Sequence, residues 1–526
     1  MQRWNNLLDN FRLNKYFHAR GGWYRWSGTF DPDAMLFNSY PFLFAFLPVA
    51  WLGYFAAGRL SPGLAMAWLV MASVLFYGAW NPAFVPLLAG SVLLNFSVSR
   101  TILAAAPRWR GRWLGLGLGL NLACLLHFKY LGATLALLAR WQILNVAFDD
   151  PILPLGISFF TFTQIGYLLD CRAGSAGPVD LLRYSLFVTV FPHLIAGPIL
   201  SHREMMPQFA DPATFRPNPA NLTVGIAFLA IGLLKKCLLA DPIGTVVAPG
   251  FAAAGGLGLL AAWQVACAYS LQLYFDFSGY SDMAVGLAWM FNLKFPTNFN
   301  SPYKARSVID YWQRWHMSLT RYLNVYLYNP IALAVLRRRV ARGKTTDRAA
   351  QARPGGFAVM IALPLFITMT LAGIWHGAGT QFVVFGLLHA LYLSINHAWR
   401  IRRSKATLPP IASIALTYLS VLVGAVFFRA ASVGNALDLL GGMAGLHGLD
   451  IHLPGNRLGA AKSVGEIATF GGLYAIVWLL PNSQAIIARL MRPSEKKLPW
   501  ALGLGAVLAI ALLSIGGTSE FLYFQF

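Results

Sequence analysis

Charge is scarce in this chain, and acidic charge is the scarcest. Only 11% of the 526 residues are charged, with 19 Asp and Glu against 41 Lys and Arg. A soluble protein carries about 25% charged residues. No soluble core would absorb a sequence that is 57% hydrophobic. The shortage excludes a water-soluble domain and leaves a polytopic membrane protein. Cysteine is rare as well. Cys124, Cys171, Cys237 and Cys267 form no Cys-x-x-Cys pair and lie in or beside apolar stretches. That excludes a disulfide framework and a zinc site, and the four read as small buried hydrophobes. There is no G-x-S-x-G elbow and no H-E-x-x-H motif, no phosphate-binding loop and no dinucleotide fingerprint. A serine hydrolase, a zinc peptidase and an ATP-driven pump are set aside, and no metal site is expected. No fixed repeat of 20–50 residues and no long Pro-, Ser- or Gln-rich linker divides the chain, so residues 35–526 read as a single domain.

What the chain has is apolar sequence punctuated by arginine. Trp4, Leu7, Leu8 and Phe11 recur at helical spacing among Arg3, Arg12 and Lys15, which makes residues 1–34 a basic amphipathic extension that lies on a membrane surface. It lacks the apolar core and cleavage site of a signal peptide, and Met35 offers an alternative start. Fourteen apolar runs follow between residues 40 and 516. Segments near 20 residues span a bilayer, and the pattern predicts about 11–14 membrane-embedded helices. The runs 151–169 and 280–293 are short or broken and are expected to be re-entrant or half-helices, with irregular backbone covered by protein.

The net charge of +22 invites a nucleic-acid reading, but the cations cluster in short loops: Arg100 to Arg112, Arg337 to Lys344, Arg400 to Lys405 and Arg489 to Lys497. That is the layout of cytoplasmic loops under the positive-inside rule, with contact to anionic lipids expected and no nucleic acid. Residues 337–355 are expected to form a mobile cytoplasmic loop. The adjacent Lys235 and Lys236 read as a helix-end anchor.

The stretch Leu371-Ala-Gly-Ile-Trp-His-Gly-Ala-Gly-Thr380 sets one titratable ring, His376, at the end of an apolar run and before three small residues. An ionisable group at membrane depth is expensive and faces an internal cavity; a buried histidine satisfied by a carbonyl is the alternative. Trp375 supplies an apolar wall beside the ring. A second polar region runs from Tyr274-Phe-Asp-Phe-Ser-Gly-Tyr-Ser-Asp282 through Phe295-Pro-Thr-Asn-Phe-Asn-Ser-Pro-Tyr303 to Trp312-Gln-Arg-Trp-His316. Gly279 is expected to let the chain turn. A helix is expected to resume with Trp312, Trp315, Leu319, Tyr322 and Tyr326 on one face, a stripe that also fits plain packing. Candidates to line a passage are Trp375, Gln313, Trp312, Asp276, Ser278, Tyr280, Asp282, Asn298, Asn300 and His193. The two aspartates equally fit caps or arginine partners. His127, Lys129, His193, His389 and His397 read as structural. A neutral histidine takes a proton from an attacking hydroxyl, and a second polar group stabilises charge at a thioester carbonyl. His376 and His316 suit those two roles in that order.

These blocks, with Met35-Leu-Phe-Asn-Ser39, Pro154-Leu-Gly-Ile-Ser-Phe-Phe-Thr-Phe162 and Phe191-Pro-His-Leu-Ile-Ala-Gly-Pro198, keep one order over residues 35–400. In them the chain resembles the membrane-bound O-acyltransferase family, most of all its bacterial alginate O-acetyltransferase branch and more distantly the teichoic-acid D-alanyl transferases. The resemblance implies an all-α polytopic fold with helices around a central funnel and passage. It implies His376 as the family's invariant histidine and His316 as the second. It further implies O-acetylation of a secreted exopolysaccharide at the bacterial inner membrane. Acetyl-CoA or another acyl thioester would be the cytoplasmic donor substrate, no cofactor would be bound, and a periplasmic acyltransferase would be the partner. Residues Leu323-Asn-Val-Tyr-Leu-Tyr-Asn-Pro-Ile-Ala-Leu333 lack the Arg-Asp pair and the Gly-Gly of the alginate-type sequences, so the resemblance does not carry alginate over as acceptor. Two other readings remain open: a transporter or flippase for an acyl donor or lipid-linked sugar, and a D-alanyl transferase served by a carrier protein.

Overall fold

A computed structural model describes residues 35–144, 151–402, 408–449, 460–492, 497–515 and 522. The expected amphipathic extension 1–34 lies outside the described residues. Four long helices open the chain: α1 (Phe42–Leu60), α2 (Pro62–Trp80), α3 (Pro82–Ala104) and α4 (Pro107–Arg140). Each starts at or within its first turn on a proline-compatible position, and Ser61 caps α2 by accepting from the Leu64 N–H. Then come α5 (Ile157–Ala173), α6 (Leu181–Thr189), α7 (Phe191–Leu194) and α8 (His202–Ala210). Two long helices follow, α9 (Pro219–Ala252) and α10 (Leu259–Met290). The short α11 (Val308–Trp312) precedes α12 (317–341) and α13 (Arg348–Ala352). The chain closes with α14 (Pro354–His376), α15 (Thr380–Arg402), α16 (Pro410–Arg429), α17 (Val433–Met443), α18 (Ala460–Leu479), α19 (Ser483–Leu490) and α20 (Lys497–Leu513).

The described residues contain no strand. Among the described residues eight helices are long and apolar enough to cross a membrane, and a ninth span is reached if the bent pair at 468–490 is counted as one. The expected 11–14 embedded helices include elements that are shorter or too polar to count as spans, among them α5, α6, α10 and α20.

Helix α10 is the axis of the molecule. It is buried continuously from Ala268 to Ala288, which is why its sequence shows no one-sided apolar stripe. The expected break within 280–293 is therefore absent. Gly279 does not turn the chain; it lets α9 approach, since a Cβ there would lie 2.9 Å from the Gly232 carbonyl oxygen. Lys235 and Lys236 follow on α9, in a π-bulge at Leu234–Ala240. They are not an end anchor. Lys236 lies 2.7 Å from Asp276 and 2.6 Å from Asp241, and Lys235 lies 2.6 Å from Asp282.

Helix α5 is unbroken from Ile157 to Ala173, and the interrupted stretch is 181–210 instead. Helix α6 starts soon after α5 ends, α7 is only four residues long, and α8 returns to the end of α5, where Arg203 and His202 both meet Asp170. Residues 337–355 are mostly helical rather than a loop. Asp347 caps α13 by accepting from the Ala350 N–H at 2.9 Å, and Arg348-Ala-Ala-Gln-Ala352 is a run of strong helix formers. The side of the bundle that carries Arg306 and Arg400 is called here the basic face. Gly111 faces the Arg172 guanidinium, and Arg400 reaches Ser307 at 3.4 Å.

Candidate active site

The expected aromatic helix is broken where the chemistry lies. Helix α11 ends at Trp312, and His316 adopts φ +44° and ψ +54° before α12 begins. A left-handed backbone at a non-glycine residue costs about 1–3 kcal/mol and marks sites held by their surroundings. Here the holder is Asn298. Its Oδ1 accepts from the Ser318 N–H at 3.2 Å and the Ser318 hydroxyl at 2.9 Å, and its carbonyl accepts from the Met317 N–H at 2.9 Å. The same Oδ1 lies 3.0 Å from His316 Nδ1. An oxygen that takes a backbone N–H is an acceptor, so His316 Nδ1 is the donor. The neutral ring therefore presents a lone pair at Nε2. Phe277 from α10 stands edge-on to this ring at 4.8 Å.

His376 ends α14. Gly377 after it is extended, and a Cβ at that position would meet the Phe382 ring at 2.2 Å. Only glycine lets α15 start so close. The His376 ring packs against Phe428 at 4.8 Å and Trp375 at 4.7 Å. Its Nδ1 has no hydrogen-bond partner among the described residues.

A cavity of about 40 Å³ joins the two histidines, walled by Phe277, Trp312, Trp315, Phe385 and Phe428. A third histidine lines it. His389 Nδ1 accepts from Trp312 Nε1–H at 3.2 Å. Sequence reasoning set His389 aside as structural; its place four residues after Phe385 on α15 was the available signal, because i and i+4 share a helix face. Gln313 and Tyr392 line a larger cavity of about 1090 Å³ on the basic face, with Arg306, Trp399 and Arg400. Trp312 and His389 line the histidine cavity, and Gln313 and Tyr392, one and three residues further along the chain, line the vestibule.

The other candidates scatter. Trp375 does not line the small cavity; its ring stacks on Phe162 at 5.0 Å. Asp276 and Asp282 belong to the lysine network described above. Ser278 is buried on the same helix, and Tyr280 stacks on Phe37 at 4.9 Å. Asn300 pairs with Asn482 at 2.8 Å. His193 is a satisfied buried histidine, bonded to the Pro198 carbonyl at 2.7 Å and to Thr163 at 3.1 Å. The site thus keeps His316, His376, Trp312 and Asn298 from the expected set, with Gln313 in the vestibule.

The family model for membrane-bound O-acyltransferases matches residues 125–346. The chain is 36% identical to a peptidoglycan O-acetyltransferase of Helicobacter pylori, over 94% of this chain and 98% of the relative. It is 33% identical to a protein of Pseudomonas putida named "Probable alginate O-acetylase", over 94% of this chain and all of the relative. A teichoic acid D-alanyltransferase of Bacillus subtilis is 29% identical over 46% of this chain and 58% of its own.

Proposed function

Since the chain belongs to the membrane-bound O-acyltransferase family and is an O-acyltransferase, we propose that it takes acetyl from acetyl-CoA at the basic face and delivers it through the membrane for O-acetylation of a cell-envelope polysaccharide. The relatives' names point to peptidoglycan or a secreted polymer such as alginate. The D-alanyl relatives match over about half the chain only, so acetyl is the favoured group. The basic face is read as cytoplasmic and the membrane as the bacterial inner membrane, with a periplasmic acyltransferase receiving the group.

The observation that carries this reading is the convergence of His316 and His376 on one cavity in a molecule that also has an arginine-bearing vestibule. Arg306 and Arg400 suit the donor's phosphates. The thioester passes the Trp312–His389 pair. The acceptor oxygen attacks the thioester carbonyl as His316 Nε2 takes the hydroxyl proton. The C–S bond breaks, and the proton leaves with the thiolate as free CoA. His376 stabilises the developing oxyanion. The expected order of roles is thereby exchanged: Asn298 fixes the base tautomer of His316, and His376 has no such partner. The test is the acetyl content of envelope polysaccharide in cells carrying wild-type protein, His376→Ala, His376→Gln or His316→Ala at equal membrane levels. Loss of acetyl in all three supports the reading. Normal acetylation in the His376 variants returns the passage to a transport role.

A further inference from the structure

Helix α4 is the span least in contact with the rest of the molecule, yet it reaches the site. Only 6% of its most apolar stretch is buried, against 28–56% in the other spans. A lipid-facing helix has no ordinary use for a lysine at membrane depth. Lys129 sits there in a π-bulge at Leu126–Tyr130. Its ammonium donates to the Trp375 carbonyl and lies 5.7 Å from the Trp375 ring centroid. The neighbouring Tyr130 hydroxyl donates to the Ile374 carbonyl at 2.7 Å. Consecutive residues of a regular helix point about 100° apart, and the bulge brings both side chains onto one target.

That target is the last turn of α14, where a cation is favourable: the Trp375 carbonyl has no partner within the helix, and the Ile374 carbonyl also accepts from the Gly377 N–H at 3.2 Å. The next residue is His376. Its ring lacks a hydrogen bond at Nδ1 among the described residues, so its aim depends on aromatic contacts and on the backbone that carries it. We infer that Lys129 and Tyr130 are positioning residues that clamp the Ile374 and Trp375 peptide units and so keep the His376 imidazole turned to the cavity it shares with His316. This rests on the reading of His376 as a participant in acyl transfer. A displacement near 1 Å at a reacting group costs about a hundredfold in rate.

The test compares wild-type protein, Lys129→Met, Lys129→Arg, Tyr130→Phe and His376→Ala at full length. Alkali-released acetate is measured from envelope polysaccharide of intact cells, and initial rates are followed against acetyl-CoA in inverted membrane vesicles. Lys129→Met is expected to lower kcat about a hundredfold with the donor KM within about twofold. Lys129→Arg should recover most of the loss, and Tyr130→Phe, which removes only a hydroxyl, should lose several-fold. Thermal stability in detergent should match wild type throughout. Full activity of both Lys129→Met and Tyr130→Phe beside an inactive His376→Ala overturns the clamp and leaves the family activity intact. A rise in KM with kcat unchanged overturns it by placing the lysine on the donor's path. Lowered stability in both Lys129→Met and Tyr130→Phe, with normal turnover per folded molecule, overturns it as a plain helix cap. Unchanged acetate in His376→Ala cells defeats the functional reading itself, and the clamp with it.

Discussion

Two faces of α10 bury polar groups in opposite ways. Toward α9 the helix presents Asp276, Gly279 and Asp282. Asp276 is 1% exposed and meets Lys236, while Asp282 meets Lys235 and the Ser483 hydroxyl at 2.5 Å. Opposite charges within 3 Å, enclosed by a close helix crossing, leave that face electrostatically closed. Toward the 291–316 segment and the cavity, the helix presents Leu273, Phe277 and Ser281, one every four residues. Ser281 accepts from Asn298 at 3.3 Å, Asn298 holds His316, and Phe277 walls the cavity. This face borders a cavity lined by three imidazoles, and one of them, that of His376, has no hydrogen bond at Nδ1 among the described residues. A membrane protein can bury charge for cohesion or for chemistry, and the completeness of pairing separates the two.

The separation is broken most directly by exchanging the readouts. His376→Ala is expected to reduce acetyl transfer by about 10²–10³-fold and to lower the midpoint of thermal inactivation in detergent by less than Lys236→Met does, since it gives up the ring's packing on Phe428 and Trp375 but strands no buried charge. On the other face, Lys236→Met removes the cation that Asp276 and Asp241 share, and breaking a buried pair costs about 3–5 kcal/mol. The expected result is a large fall in folded protein by size-exclusion and thermal-inactivation assays, with near-normal turnover per folded molecule. If Lys236→Met instead gave stable protein without activity, the α9 face would belong to the reaction.

Both faces were visible as polar interruptions in an apolar run, but which was which was not. Asp276 and Asp282 drew attention because carboxylates at that depth are rare. Their partners, Lys235 and Lys236, lie about 40 residues upstream and look like a helix-end anchor, because helical periodicity cannot show that α9 and α10 cross at glycine. The histidines were legible from their neighbourhoods, and the structure brings His316 and His376 to one cavity. The break between Trp312 and His316 was not legible. The aromatic spacing fits a continuous helix, and only Asn298, held in a separate loop, makes the left-handed turn at His316 worth its strain. Lys129 escaped for a related reason: it acts through a contact to a distant helix, which leaves no local pattern, whereas His389 had only its spacing from Phe385 to mark it. The all-α membrane architecture was legible from composition, because apolar runs of bilayer length allow few alternatives.

A finer cut lies inside the reactive face. Asn298→Ala removes the acceptor that fixes the His316 tautomer and also takes a partner from the Ser318 N–H. Losing a buried hydrogen bond of this kind costs about 1–3 kcal/mol, so turnover should fall roughly tenfold to a hundredfold. Stability should fall modestly, an intermediate signature between the two faces. Asn298→Asp keeps the acceptor oxygen and is expected to recover part of the turnover measured in the same vesicle assay.

The smallest effect is expected where burial is removed from the comparison altogether. Arg321 and Glu204 form a two-pronged ion pair, with side chains 40% and 38% exposed. The geometry is as good as that of Lys236 with Asp276, which are 1% exposed. If pairing alone gave cohesion, Arg321→Ala and Lys236→Met would be equally damaging. Water competes for both partners of the exposed pair, and such pairs contribute about 0–1 kcal/mol. Arg321→Ala should therefore move the thermal midpoint by a small fraction of the Lys236→Met shift, and added salt should shrink even that difference, because an exposed pair is screened. A large, salt-independent loss at Arg321 would show that the 220 Å³ cavity it lines with Ser318 and His202 is closed from water when the protein is in its membrane, and would move that region from the exposed class to the cohesive one.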